Sequence, residues 1–537
     1  GPDNLPVVNP ERCTGCGTCE RVCPKHIITL SSYTRRIQAE YTTDECTAPC
    51  QRTCPAGIDI PAYIRQIREG NYLEALRIIK EANPFPLVCG RICVHPCEVE
   101  CRRNLIDEPV AINHLKRFAA DVEMQSGDRV HIPRAPETGK KVAVVGGGAE
   151  GLTAAYFLNR LGHDAVLYEG TSRLGGLLWS GLPENRLPRD VLEYEINGIL
   201  DAGVQAFTDQ KLGRDFTVAS LLKEGCSALF VATGGWDTRL LERAKGEPSG
   251  ALPGVHLLVD FLLDRKEGKE ISPGRHVMIM GGGKAALRAA LACLETGAET
   301  VDILFRRDQE HVPLSEKELL EAEEQGVRFR FQIALTRMMG EGDALTRVEI
   351  AHLSETGEEE GEREIVPADA LLVGAGRFPE LIYVPRIEEG QEEEAELPDP
   401  APWETLSPIP GPDAKNDIGL FRPGEATGDY KAVVEAIGSG RRAAGSVQRY
   451  LTGMPVEAPA HMIRKSTRVL SVDQLDLERV LKISRQDMPE RAREEQINNP
   501  EAEIALGFSE DQARREADRC LQCGLICYRR VEGQSMH

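Results

Sequence analysis

Lys141-Val-Ala-Val-Val-Gly-Gly-Gly-Ala-Glu-Gly151 decides how this chain is read. An apolar β-type run ends in the loop Gly146-x-Gly148-x2-Gly151, and a helical pattern opens at Leu152. In such a loop the first glycine permits the tight turn, the second lets backbone approach a pyrophosphate, and the third lets the helix pack on the strand. The helix N-terminus adds partial positive charge. A second β run, Ala165 to Tyr168, ends in Glu169, about 20 residues on, where a carboxylate accepts hydrogen bonds from a ribose. The Gly pattern alone is weak; strand, loop, helix and acid together predict a dinucleotide site.

The plan recurs downstream. His276-Val-Met-Ile-Met280 leads into Gly281-x-Gly283-x2-Ala286, but the following run, Val301 to Phe305, ends in Arg306-Arg307. Two guanidinium groups there pair with a 2′-phosphate that a carboxylate would repel, so this loop favours NADP(H) over NAD(H). The plainer alternative is a solvated basic pair at a strand end.

Upstream the texture is different. The chain has sixteen cysteines, and fourteen fall in three tight groups, which points to metal and not to disulfides. Cys13-x2-Cys16-x2-Cys19-x3-Cys23-Pro24 is a bacterial ferredoxin run, in which the fourth thiolate serves another cluster. The middle group is Cys46-x3-Cys50-x3-Cys54-Pro55, followed by Cys89-x3-Cys93-x3-Cys97-x3-Cys101. Its seven thiolates fully ligate one 4Fe-4S cubane and leave three over, so a second needs another ligand, for which Asp44 and Glu45 are local candidates. The tail triplet Cys520-x2-Cys523-x3-Cys527 also lacks one ligand. One arrangement has the tail fold back on the head so that Cys23 completes it; the alternative is an independent site or none. Cys226 and Cys293 stand alone and read as buried small hydrophobes.

Composition sets the frame. A chain of 537 residues, 41% hydrophobic, is a set of several globular units, and its net charge of −21 argues against nucleic acid and anionic membranes as partners. No apolar run of about 18 residues and no signal-type segment occurs, so the expectation is no membrane span, no export and a cytoplasmic location. The fold expected is α/β and multidomain, with two Rossmann-like domains for FAD and NAD(P) preceded by a helical two-cluster module and a ferredoxin-like module. The boundaries expected are 1–45 for the ferredoxin-type module and 46–137 for the helical module, with a helical stretch at Ile60 to Lys80. The FAD domain takes 138–272 and 379–457, the NAD(P) domain 273–378, and a polar, mostly helical tail 458–537. Pro385 to Asp417, rich in Pro and Glu, reads as an exposed loop or linker.

From Cys46 to Leu451 the chain resembles the small subunit of NADPH-dependent glutamate synthase and its relatives. These include the flavoprotein subunit of NADH-dependent ferredoxin:NADP oxidoreductase and the N-terminal part of dihydropyrimidine dehydrogenase. The stretches that carry the likeness include Cys50 to Pro55, Ile58-Asp-Ile-Pro61, Cys89 to Cys101, Lys141 to Gly151, Gly175-Gly176-Leu177-Leu178, Arg186-Leu-Pro188, Ala232-Thr-Gly234, Phe305-Arg-Arg307 and Val433 to Ala444. The resemblance implies an FAD domain split in sequence by an inserted NAD(P) domain, with Gly175, Gly176, Leu177, Arg186, Thr233 and Gly234 against FAD. It also implies that the return segment Phe421 to Ala436, with Gly424 and Glu425, brings a helix N-terminus towards the flavin. Departures are Ala149-Glu150 in the first loop, Lys284 and Arg288 in the second, Glu425 in place of Asp, Thr43 in place of an opening cysteine, and Lys116 where the relatives have a ligating Glu or Gln. Glutamate synthase activity needs an amidotransferase domain and an FMN barrel, for which this chain has no room.

The function these readings imply is electron transfer between NAD(P)H and a partner redox subunit or ferredoxin, through FAD and three to four 4Fe-4S clusters. The alternative is a relay or bifurcating subunit with little nicotinamide turnover of its own. No acid–base catalytic residue is expected, because the cofactors carry the chemistry.

Overall fold

The computed structural model describes residues 47–234, 252–269, 273–281, 283–374, 380–386, 397–411, 420, 432–458 and 480–523. The helical module opens with α1 (Pro49–Thr53), α2 (Ile60–Glu69) and α3 (Tyr72–Lys80). The single helical stretch expected over Ile60 to Lys80 is thus two helices, because Gly70 takes φ 87° and caps the first. Next come α4 (Pro86–Ile92), α5 (Pro96–Val99) and α6 (Ile112–Ser126). A proline in the first turn of α5 restarts the chain after α4, so Cys93, Cys97 and Cys101 do not share one helix face despite their even spacing.

Two sheets follow. β1 (Lys141–Val145), β2 (Asp164–Tyr168), β3 (Gln205–Phe207) and β4 (Cys226–Val231) form a parallel core in the order β4-β1-β2-β3, with Val142 opposite Ala165 and Val144 opposite Leu167. α7 (Ala149–Arg160) crosses from β1 to β2. β5 (Val255–Leu257), β6 (His276–Met280), β7 (Thr300–Leu304), β8 (Val327–Arg330) and β12 (Ala370–Val373) build a second, all-parallel sheet in the order β5-β12-β6-β7-β8, with α8 (Lys284–Glu295) following β6. Both sheets are the doubly wound α/β type that the Gly loops imply.

Sheet membership does not follow chain order. β9 (Ile333–Glu341), β10 (Ala344–Leu353) and β11 (Glu359–Pro367) lie in sequence between strands of the second sheet, yet they extend the first through β13 (Leu381–Pro385) and β14 (Pro402–Leu406). β5, upstream of residue 272, belongs to the second sheet. The loop expected from Pro385 to Asp417 contains β14, whose Trp403 is fully buried and donates from Nε1 to the Gly342 carbonyl at 2.8 Å. A central strand with a buried tryptophan is the opposite of an exposed linker.

α9 (Val433–Leu451) closes the first domain against α7. One apolar core runs without a break from Ile58, Ile64 and Phe85 of the helical module into Val142, Leu152 and Ile437. The tail is helical only at Arg493–Asn498 and α10 (Glu510–Asp518) among its described residues; the rest is extended chain laid on the helical module. The docking combines ion pairs with a small apolar face, Phe508, Ala513 and Ala517, which joins the core of the module; such short, mostly alanine apolar positions give only a weak periodicity. Among the described residues no helix is long and apolar enough to cross a membrane.

Candidate functional site

The first Gly loop is held rigidly. Gly146 has φ 112°, and a Cβ on it would lie 2.3 Å from the Ala232 carbonyl oxygen of the adjacent strand end. A Cβ on Gly151 would lie 1.9 Å from the Gly146 oxygen, so α7 packs on the turn as only glycine permits. Glu169 Oε2 accepts from the Gly147 amide at 2.6 Å, and its Oε1 accepts from the Thr171 amide at 2.8 Å. One oxygen of this carboxylate therefore fixes the loop itself, a role the ribose reading did not include. The Gly175 amide donates to the Gly147 carbonyl at 2.7 Å, which lays Gly175-Gly176 against the loop.

The α7 N-terminus has no side-chain cap, and a Cβ on Gly148 would meet nothing within 4 Å. Uncapped amides over open space suit a pyrophosphate. Leu177 is half exposed beside Gly176, Arg186 is exposed, and Thr233 and Gly234 stand at the end of β4. Glu150 is buried in the first turn of α7. This cradle fits the FAD implied by the sequence.

Helix α9 joins the cradle to the thiols. A Cβ on Gly440 would lie 2.2 Å from the Glu150 carbonyl oxygen, and one on Gly438 would lie 2.3 Å from the Pro55 oxygen. Arg441, buried, donates from Nη1 to the Ala56 carbonyl at 2.8 Å and lies over the Phe157 ring of α7 at 5.3 Å. Cys54 directly precedes Pro55, so the nucleotide loop and the first thiol group touch opposite sides of one helix.

That group is Cys54, Cys89, Cys93 and Cys97, each buried. Close packing of α4 on α6, where a Cβ on Gly90 would lie 2.8 Å from Arg117 Cα, places Lys116 of α6 beside them. Lys116 is 6% exposed, and its pKa is raised: burial lowers it, but the facing Cys89, Cys93, Cys97 and Cys54 outweigh that. Among the described residues its ammonium has no carboxylate in an ion pair, and the sulfurs facing it would balance its charge once they are ionised. Burial pushes the Cys89 thiol up to about 12, so it ionises only when a metal displaces its proton. The His95 amide donates to Cys93 Sγ at 3.3 Å, with His95 held at φ 40°.

The remaining described cysteines of the module, Cys50 and Cys101, line one pocket together with Cys520 and Cys523 of the tail. Burial first, then Cys520, Cys101, Cys97 and Cys523, raise the Cys50 thiol well above its ordinary value; burial pushes Cys520 up to about 12. Gln522 Nε2 donates to Cys520 Sγ at 3.3 Å. Among the described residues no three cysteines, histidines or carboxylates converge closely enough to hold a single metal ion.

In the second loop, Gly281 and Gly283 flank the turn into α8, whose N-terminus also lacks a side-chain cap. Lys284 pairs with Glu318 at 3.0 Å, and the Ser315 amide and hydroxyl first, then Lys284, hold that carboxyl down at about 2. Arg306 is half buried and Arg307 exposed beyond β7. Cys226 and Cys293 are buried at 1% and 0% exposure, as small hydrophobes are. Cys13, Cys16, Cys19, Cys23, Cys46, Cys527, Gly424 and Glu425 lie outside the described residues, as do Thr43, Asp44 and Glu45.

Comparison with known proteins gives three family matches. Residues 39–128 match dihydropyrimidine dehydrogenase domain II, 4Fe-4S cluster; residues 140–390 match pyridine nucleotide-disulphide oxidoreductase; and residues 6–29 match a 4Fe-4S binding domain. The chain is 32% identical to the NADPH-Fe(3+) oxidoreductase subunit beta of Geobacter sulfurreducens, over 89% of this chain and 75% of that one. It is 33% identical to the NADP(+)-dependent formate dehydrogenase subunit beta of Moorella thermoacetica, over 89% and 70% respectively. Against the glutamate synthase (NADPH) small chain of Halomonas elongata the identity is 30%, over 75% of this chain and 88% of that one.

Proposed function

The chain belongs to the glutamate synthase small-chain family of iron–sulfur flavoprotein subunits, and we propose that it is the subunit through which NADPH and a partner redox protein exchange electrons. It is an NAD(P)H-dependent FAD and iron–sulfur oxidoreductase. The observation that carries the electron-passing role is the position of α9. Through Gly438, Gly440 and Arg441 one helix contacts both the FAD cradle and the chain beside Cys54, with only backbone at two of the three contacts.

FAD, when bound, would supply the chemistry that links two-electron exchange with a nicotinamide to one-electron exchange with 4Fe-4S clusters. The protein's part is to hold and orient. Gly146, Gly148 and Gly151 present amides to the pyrophosphate while Glu169 and Gly175 stop the loop from moving. Gly281 and Gly283 do the same for the nicotinamide nucleotide, and Arg306 and Arg307 select its 2′-phosphate. Cys54, Cys89, Cys93 and Cys97 hold a cluster behind α9, with the Lys116 ammonium offsetting its negative charge.

Anaerobic titration of the purified protein with NADPH and NADH, followed at the flavin band, tests this. NADPH should bleach the band at lower concentration than NADH. If neither bleaches it, the nicotinamide half of the reading fails. Arg307→Glu should raise the NADPH requirement about tenfold, a loss of about 1.4 kcal/mol of binding, and leave the NADH requirement unchanged.

A further inference from the structure

We infer that Cys50, Cys101, Cys520 and Cys523 together bind one 4Fe-4S cluster, which is complete only when the tail is docked on the helical module. The inference rests on the iron–sulfur reading of that module and goes further, because two of the four ligands come from far outside it in sequence.

Two observations carry it. The four sulfur side chains line the same pocket, from α1, the chain after α5, and the turn after α10. The described cysteines also divide evenly. Leaving aside the isolated Cys226 and Cys293, and Cys46, which lies outside the described residues, they are eight: Cys54, Cys89, Cys93 and Cys97 in the apolar core shared with the FAD domain, and these four around their own pocket. A cubane has four irons, each taking one thiolate, so four sulfurs on one pocket match its needs.

The tail is held in place for this. Arg519, with no exposed surface, pairs with Glu516 at 2.7 Å and Asp107 at 3.0 Å and donates to the Glu108, Pro109 and Ile483 carbonyls. Glu516 accepts from the Ala111 amide at 2.7 Å and the Gln486 amide at 2.8 Å. Arg103 donates to the Arg519 and Leu481 carbonyls. All of this lies within one turn of Cys520. A buried ion network that fixes one short turn so firmly is costly unless that turn must sit at a defined place. Arg102 stands in the wall of the same pocket.

The test is iron and acid-labile sulfide per chain in the anaerobically purified full-length protein. Cys520→Ser with Cys523→Ser should remove one cubane's four irons, Cys50→Ser should remove the same four, and the triple variant should lose no more than either. Retained FAD absorbance shows that the variants fold. Unaltered iron in the double variant, or a doubled loss in the triple variant, overturns the inference. A wild-type chain with no iron at all would refute the iron–sulfur reading instead. Alkylation with mass spectrometry reads the same point without any variant. On stepwise chelation Cys50, Cys101, Cys520 and Cys523 should become reactive in one step, and exposure of the tail pair alone, in a step of its own, contradicts the grouping.

Discussion

The two thiol groups of the helical module differ in what they need in order to exist. Cys54, Cys89, Cys93 and Cys97 sit within one stretch of chain, set in place by α1, α4 and α5 and backed by an apolar core shared with the FAD domain. Cys50 and Cys101 meet Cys520 and Cys523 only because extended, charged chain runs back across the module. A core-built site forms with the fold. A strap-built site depends on a separate docking event, and the ion network at Arg519 is what fixes it.

The largest expected effect breaks the comparison at that network. Arg519→Met leaves the Glu516 carboxylate buried without its ion partner and takes one of the two arginines from Asp107, a cost of about 3–5 kcal/mol, enough to undock the tail. Limited proteolysis should then cut within 480–523, and iron should fall by one cluster while the Cys54 group keeps its own.

Acid acts from the opposite side. His163, bonded from Nε2 to Gln448 Oε1 of α9 at 2.5 Å, is kept neutral by burial, with its pKa down at about 4 against an ordinary 6.5. Between those values the unfolded chain binds more protons. The residue's contribution is therefore full above pH 6.5 and is lost as pH falls towards 4, about 3 kcal/mol in all. The Asp107 carboxyl, bonded to Arg103, lies well below the usual range, so its contribution is present above its unfolded value near 3.8. Urea unfolding at pH 7 and pH 4.5 should show α9 and the FAD domain weakened while the tail stays docked, and His163→Gln should flatten that slope.

A smaller effect is expected from Gly440→Ala, which pushes α9 away from the Glu150 backbone at a cost of about 1–3 kcal/mol. FAD retention on gel filtration should drop, with the tail again unaffected. The smallest sharpens the contrast without disturbing packing. Lys116→Met removes the buried positive charge facing the first group and should lower that centre's midpoint potential in a redox titration, leaving the second centre where it was.

Much of this was legible in the sequence. The strand, Gly loop and helix at Lys141 to Gly151 and its repeat at His276 identify both nucleotide domains, because the turn chemistry that glycine permits is local. Cysteine spacing likewise identifies iron–sulfur chemistry. What escapes is tertiary pooling. β14 is five residues inside a stretch rich in Pro and Glu, and only its pairing with β9 and β13 and the burial of Trp403 make it a central strand. The tail's apolar signal is weak because its buried face is Phe508, Ala513 and Ala517, with the charged Arg519, Glu516 and Arg485 fixing it beside them. Which cysteines share a pocket is likewise set by that docking: reading along the chain leaves the tail triplet either completed by Cys23, which lies outside the described residues, or independent, and the pocket that Cys520 and Cys523 share with Cys50 and Cys101 is visible only in the fold.

The central claim is that electrons from NADPH reach the clusters by way of FAD bound at the Gly146 loop. Freeze-quenched electron paramagnetic resonance after mixing with NADPH, on the holoprotein and on the same protein stripped of FAD with its iron intact, tests it most directly. Signals of reduced 4Fe-4S clusters should appear in the holoprotein and be absent without FAD. Clusters that reduce equally fast in the stripped protein, or that stay oxidised in the holoprotein, would contradict the account.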